Sequence, residues 1–155
     1  YYRMKFLLGR FEKSASDFYQ DFTLNEKNFN SAGIKSMSSL TENLLSGINY
    51  DFIKNRRNDN FKYLYDRLGN INRLDLEIPE GAFAYPLLLN EGHKIRRSLI
   101  EKKIYVPTLW PNVVDNLEEE MLEHDYALNI LPLPCDQRYT VNEMQYIIDT
   151  IWEFI

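Results

Sequence analysis

A long apolar stripe constrains this chain more than any other feature. Leu40, Leu44, Ile48 and Phe52 recur at helical spacing, and Phe61, Leu64 and Leu68 carry the stripe on beyond the polar stretch KNRRNDN. Ser38 or Ser39 supplies a start signal, with Ser39 and Glu42 at the spacing of a capping box, and Gly69 supplies the stop. A continuous helix over this range is ~45 Å long. Gly47 and the polar stretch permit a kink. In either form the stripe needs a neighbour, so the rest of the sequence must provide one.

That cover is predicted to be mixed. Residues 3–29 place Phe6, Leu7, Phe11, Phe18, Phe22 and Phe29 at mostly helical spacings interrupted by Gly9, which reads as one or two helices before Ser31-Ala32-Gly33 breaks the pattern. Downstream, three apolar runs have strand length: AFAYPLLL at 82–89, IYVPT at 104–108 and NILPLP at 129–134. Pro86 makes the first an edge strand or a strand that begins after it. Asn90 can cap a helix whose stripe Ile95, Leu99 and Ile100 ends at Lys102 and Lys103, where positive charge suits a helix C-terminus. Residues 115–125 combine Asp115, Glu118, Glu119, Glu120, Glu123 and Asp125 with Val114, Leu117, Met121 and Leu122, the pattern of an acidic amphipathic helix. Thr140 and Glu143 form a second capping box ahead of a helix that turns Met144, Ile147, Ile148 and Ile151 to one side.

The strands are too few and too short for a doubly wound sheet. The expected fold is therefore α+β: a small two-layer domain with long N-terminal helices and a short three-stranded, mostly antiparallel sheet packed by helices. The 155 residues are expected to form a single domain, with 1–35 as a helical lead-in. With 45 % hydrophobic and 26 % charged residues, disorder and low-complexity structure are ruled out. Tyr 11, Phe 9 and Trp 2 supply enough rings to fill a core and to line a surface as well. The chain opens at Tyr1 without an initiator Met, so it is expected to be a piece of a longer one.

Charge and cysteine usage narrow the function classes. A net charge of −5 argues against a general nucleic-acid or anionic-membrane binder. The single cysteine, Cys135, allows no intrachain disulfide and no structural zinc cluster, which fits a reducing compartment, and a cytoplasmic location is expected. No run approaches the ~18 apolar residues that cross a bilayer. His93 and His124 lie far apart in sequence and outside any ligand-spaced motif, so helix-surface roles are favoured over a zinc or iron site. Cys135 lacks the local signature of a nucleophile and reads as a structural thiol. The acidic run lacks the glycine-punctuated spacing of a calcium loop and reads as a solvated face. Lys54, Arg56 and Arg57 beside Phe52, Phe61 and Tyr63 have the composition of a phosphate or nucleic-acid footprint, against which stands a hydrated helix face with arginine stems on rings. No two glycines lie close enough to form a phosphate-binding loop.

The segment YVPTLWP at 105–111 is more informative. Two prolines, a threonine and a tryptophan after a predicted strand make a stiff loop with a large ring, the kind of element that walls a pocket at a domain edge or covers a core.

Motif and order together point to a family. MSSLTENLL followed by IKNRRNDNFKYLYDRL resembles the long helix of the small C-terminal domain in the DegT/DnrJ/StrS-type sugar aminotransferases. YPLLLN and then HKIRRSLIEKKIYVPTLW look like that domain's strand, helix and substrate-side loop, and ILPLPCDQRYTVNEMQYII looks like its closing strand and helix. The resemblance covers about residues 36–155, whereas 1–35 match only loosely. It implies a fold-type-I, pyridoxal-phosphate-dependent enzyme, usually a homodimer, that moves an amino group onto a keto sugar nucleotide. The family's cofactor lysine lies in a large domain upstream, and Lys5, Lys13 and Lys27 do not sit in its Ser-x-x-Lys-type context. By resemblance, then, this chain carries no catalytic, cofactor-binding or metal-binding residue, is incomplete for catalysis, and has the large domain as its partner. By position on the loop, Tyr105, Thr108 and Trp110 are the implied substrate-side wall. One departure matters. The family's Asn-Tyr-Arg-Met run, whose asparagine approaches the cofactor phosphate of the partner subunit, is replaced by Ile34, Lys35, Ser36 and Met37, and Ile34 has no side-chain donor. A non-catalytic, aminotransferase-like binding or assembly module is the alternative; a nucleic-acid adaptor using Arg56 and Arg57 is a third.

Overall fold

A computed structural model describes residues 4–14, 16–29 and 31–155 of the chain. Arg3 and Ala15, within the predicted N-terminal helices, lie outside the described residues. The chain divides into two compact units, 1–48 and 49–155.

The first unit holds α1 (Lys5–Glu12), α2 (Tyr19–Phe29) and α3 (Ser39–Ser46). Helices α1 and α2 pack on each other, with Phe6 and Phe22 edge-to-face at 5.3 Å and Lys5 Nζ donating to Asp21 Oδ1 at 2.7 Å. Gly9 permits the close approach, since a Cβ there would lie 2.3 Å from the Phe18 ring. At the start of α3 the cap is Ser38, whose hydroxyl accepts from Thr41 N–H, so the expected Ser39–Glu42 box does not form.

The predicted long helix is two helices. It breaks after Gly47, and Asn49 starts α4 (Tyr50–Leu68) by accepting a hydrogen bond from Phe52 N–H at 2.9 Å. An internal asparagine cap offers the chain an alternative to continuing the ladder. Only the second half of the stripe is covered: Phe61, Leu64 and Leu68 are buried, while Leu40, Leu44, Ile48 and Phe52 are exposed.

In the second unit α4 is followed by β1 (Ala84–Leu88), α5 (Gly92–Glu101), α6 (Pro111–Asn116), α7 (Leu122–Asn129), β2 (Ile130–Pro134) and α8 (Val141–Trp152). The two strands pair antiparallel with Tyr85 opposite Leu133 and Leu87 opposite Leu131, and these four side chains are fully buried. Helix α4 packs on β1 and α8, while α5 packs on β2, α7 and α8. Pro86 and Pro132 stand opposite each other. A residue without an N–H fits an antiparallel ladder where that group would point outward, so the prolines cost no pairing and blunt the outer edges.

The strand predicted over 104–108 does not form, and the sheet has two strands rather than three. Ile104 and Val106 are buried and Tyr105 is exposed, so the period-two pattern that suggested a strand is present as burial. What it lacks is a free edge. Asn72 lies along the outer edge of β1 and imitates a strand with its side chain: its amide donates to Pro86 O at 2.9 Å and its carbonyl accepts from Leu88 N–H at 2.9 Å, while Arg73 N–H donates to Leu88 O at 3.0 Å. On β2, Ile130 O accepts from Arg96 Nη2 at 2.6 Å.

Two further expectations shift. The acidic segment is not one helix, because α6 ends at Asn116 and α7 begins at Leu122, leaving Glu118, Glu119 and Glu120 in the turn between them. Asn90 does not cap α5; Asn129 does so from α7, its side-chain carbonyl accepting from His93 N–H at 3.3 Å. Lys103 stands in the left-handed region at φ 62° in the turn that closes α5, where Ile104 N–H bonds Leu99 O at 2.8 Å and Lys103 N–H bonds Ile100 O at 2.9 Å. Glycine adopts that conformation without a Cβ penalty, so Lys103→Gly is expected to stabilise the unit by about 0.5–1 kcal/mol, read as a higher urea midpoint at unchanged m. The capping box of Thr140 and Glu143 forms as expected, and Met144, Ile147, Ile148 and Ile151 are buried.

Candidate functional site

The segment from Ile104 to Pro111 is built from both ends. Ile104 and Val106 insert into the core beside Leu99 and so fix the start of the loop. Between these anchors and just beyond them, the predicted site residues are placed outward: Tyr105 is 50 % exposed, Trp110 is 64 % exposed, and Thr108 is half-buried. The structure thus puts all three on one short loop.

Trp110 is the unusual member. It has φ 49° and ψ 57°, in the left-handed region, and it immediately precedes Pro111, the first residue of α6. A bulky aromatic residue rarely adopts that conformation, and a residue before proline is normally extended. The result is a large ring presented to solvent by a backbone under strain, a combination that concentrates at functional sites.

The other constellations are taken up by structure. Arg57 Nε donates to Gln137 Oε1 at 2.9 Å and its Nη1 to Gly81 O at 3.3 Å, while Arg56 sits 5.7 Å over the Phe52 ring and Lys54 pairs with Glu80. The basic cluster therefore joins the turn at 80–81 to that at 137, with one arginine stem on a ring. Asn60, next along α4, is fully buried, and its amide donates to the carbonyls of Cys135, Asp136 and Tyr139 at 3.3, 3.1 and 3.0 Å. The Cys135 thiol is fully buried and pushed up to about 12 by burial, far from the range of a reactive thiolate. Burial alone would push the Asp136 carboxyl up, but hydrogen bonds from Arg138 side chain and backbone outweigh it and hold the carboxyl below its ordinary value.

His93 belongs to a relay that sequence spacing does not reveal. Arg73 Nη2 donates to Asp125 Oδ2 at 2.8 Å, Asn129 Nδ2 donates to Asp125 Oδ1 at 2.8 Å, and Asn129 Oδ1 lies 3.1 Å from His93 Nδ1. The amide orientation set by Asp125 makes Oδ1 the acceptor, so the imidazole carries its proton on Nδ1. Hydrogen bonds from Asn129 and Arg73 hold the Asp125 carboxyl below its ordinary value. Arg96 works beside this chain: only 7 % exposed, it donates to Leu128 O at 2.9 Å and Ile130 O at 2.6 Å, and burial pulls its pKa down. These groups tie α5, α7 and β2 together. No local signal in the sequence marks Asn60, Asn72, Asn129 or Arg96, because each acts on a carbonyl or amide distant along the chain.

A surface cleft of about 420 Å³ lies at the C-terminal end of α4, lined among others by Tyr65, Asp66, Asn72, Asp75 and Tyr85. It shares no residue with the 104–111 loop, and Asn72 spends its side chain on the edge of β1. Among the described residues no group of three or more His, Cys, Asp or Glu side chains could hold a metal ion, and no helix is long and apolar enough to cross a membrane. A lysine that carries pyridoxal phosphate must be sheltered and deprotonated. In contrast, half-buried Lys5 pairs with Asp21, Lys54, Lys62, Lys94 and Lys102 are exposed and paired with carboxylates, and Lys13, Lys27, Lys35 and Lys103 are exposed. The lysines of this chain do not fit that cofactor. No protein-family model, no curated protein and no solved structure matches the chain.

Proposed function

We propose that this chain is the C-terminal small domain of a pyridoxal-phosphate-dependent sugar-nucleotide aminotransferase of the DegT/DnrJ/StrS type, and that it shapes the substrate side of the active site. The observation that carries the proposal is Trp110, an exposed ring on a left-handed residue between Pro107 and Pro111. Tyr105, Thr108 and Trp110 form the wall: two amphipathic rings suited to the apolar faces of a sugar and a hydroxyl suited to its oxygens. Pyridoxal phosphate supplies the amino-group transfer chemistry and is held by a large domain of the longer protein, which is a cytoplasmic homodimer in this reading. The residues here position substrate and exclude water, and no step passes through a lysine of this chain.

Two measurements on the full-length protein test this. Addition of pyridoxal phosphate is expected to produce a borohydride-reducible aldimine band between about 320 and 430 nm. Trp110→Ala is expected to raise KM for the sugar nucleotide about tenfold, the size of one lost aromatic contact, with kcat little changed. An unchanged KM removes Trp110 from the wall. A specific observation favours a second reading, a non-catalytic binding module: Ile34, at the position of the family's phosphate-contacting asparagine, is fully exposed and apolar. A folded protein that never forms the aldimine band would decide for that module.

A further inference from the structure

We propose that residues 107–123 form a hinged flap that alternates between two positions on the body of the second unit, with Trp110 as its hinge. The flap is bounded by two buried residues, Val106 at 2 % and His124 at 8 % exposure, and between them no side chain is buried. Helix α6 packs chiefly on α7, and α6 itself has no buried residue. The hydrogen bonds of the segment are local: Val113 N–H to Trp110 O, Leu117 N–H to Val113 O, Asn116 Nδ2 to Asn112 O, Met121 N–H to Glu118 O, and Asp125 N–H to Met121 O. Among the described residues no ion pair involves the flap, although it carries Asp115, Glu118, Glu119, Glu120 and Glu123. With Thr108, Leu109, Val113, Val114 and Leu117 only half-buried and its hydrogen bonds local, the segment opens at lower cost than the core elements.

Its root, by contrast, is locked. Asp125 is bonded to Arg73, Asn129 to His93, and Arg96 to the carbonyls of Leu128 and Ile130. Motion is thereby confined to the residues before His124. The second state is defined by Trp110, which can relax from the left-handed region to the extended conformation that a residue before proline prefers. That single rotation re-aims α6 and everything attached to it. Relaxation also withdraws the Trp110 ring from the position described above, so in the aminotransferase reading the hinge decides when the wall is in place. The flap itself does not depend on that reading, and its test uses neither substrate nor cofactor.

Spin labels on Asn112→Cys in α6 and Asn142→Cys in α8 report the distance between flap and body by electron–electron double resonance. Native Cys135 is buried with its thiol pushed up to about 12, so it stays unlabelled. Two distance populations are expected. Trp110→Gly, for which the left-handed region is free of strain, is expected to move their ratio about tenfold toward the position seen here, and Trp110→Val, for which that region is closed, to move it the other way. A single distance in all three proteins, or two populations whose ratio ignores position 110, overturns the proposal. Both variants change an exposed residue, and unchanged far-ultraviolet circular dichroism confirms that the body is intact.

Discussion

Gly92→Ala is expected to destabilise the second unit by about 4 kcal/mol, a large share of the stability of a domain of this size. A Cβ at position 92 would lie 2.1 Å from Asn129 O and 2.9 Å from its carbonyl carbon. Both are backbone atoms, so no side-chain rotation relieves the clash. The start of α5 would have to move away from the end of α7, stretching the His93 N–H bond to Asn129 Oδ1 at 3.3 Å and the Arg96 bond to Ile130 O at 2.6 Å. The loss is thus an overlap together with the hydrogen bonds that depend on close approach. Urea unfolding monitored by circular dichroism measures it. Gly33→Ala, with nothing within 4 Å of its Cβ, is the control and is expected to cost well under 1 kcal/mol. A loss at Gly92 no larger than at the control would show that α5 and α7 are free to separate.

The second large effect is expected at Asn60. Its amide is the donor for three carbonyls of the turn after β2, at 3.3, 3.1 and 3.0 Å, while its own Oδ1 is buried without a partner. Asn60→Ala leaves those carbonyls without that donor and opens a cavity, for an expected loss of about 3 kcal/mol. Asn60→Asp keeps the shape but turns a donor into an acceptor facing three oxygens. Its buried carboxyl titrates above the unfolded value of about 3.9, so the penalty is absent below that pH and grows as pH rises through the folded pKa. Unfolding midpoints of the two variants from about pH 3 to pH 8 should therefore diverge upward in pH, with Asn60→Asp the less stable at neutral pH. Parallel curves would show that the carboxylate finds another donor.

The elements that local pattern predicted are those whose causes lie within a few residues. Phe61, Leu64 and Leu68 are spaced for one helix face and are buried. Thr140 and Glu143 meet three residues apart, and the helix they start is where it was expected. The apolar runs at 84–88 and 130–134 are strands, and their opposed prolines satisfy the ladder. The misreadings share another origin. Residues 104–106 alternate as a strand does, yet the two sheet edges are occupied by Asn72 and Arg96, side chains from the α4–β1 connection and from α5. Asn90 sits in the right place to cap α5, but Asn129 takes that role from 36 residues away along the chain. The site divides the same way. Tyr105, Thr108 and Trp110 stand out by residue type between prolines, whereas the left-handed turn at Trp110 runs against the local rule for a residue before proline.

The sequence by itself determined the mixed α and β class, the positions of most helices, the two apolar strands and the aromatic loop, because hydrophobic period, caps and prolines act over one or two turns of chain. Tertiary structure alone decided that two strands suffice and that residues 107–123 bury no side chain fully, whereas the stripe divides at Asn49 through a local cap on Phe52 N–H. The physical reason is hydrogen-bond accounting: every buried carbonyl and amide at a strand edge or helix end needs a partner, and here Asn60, Asn72, Arg96 and Asn129 supply it from distant parts of the chain.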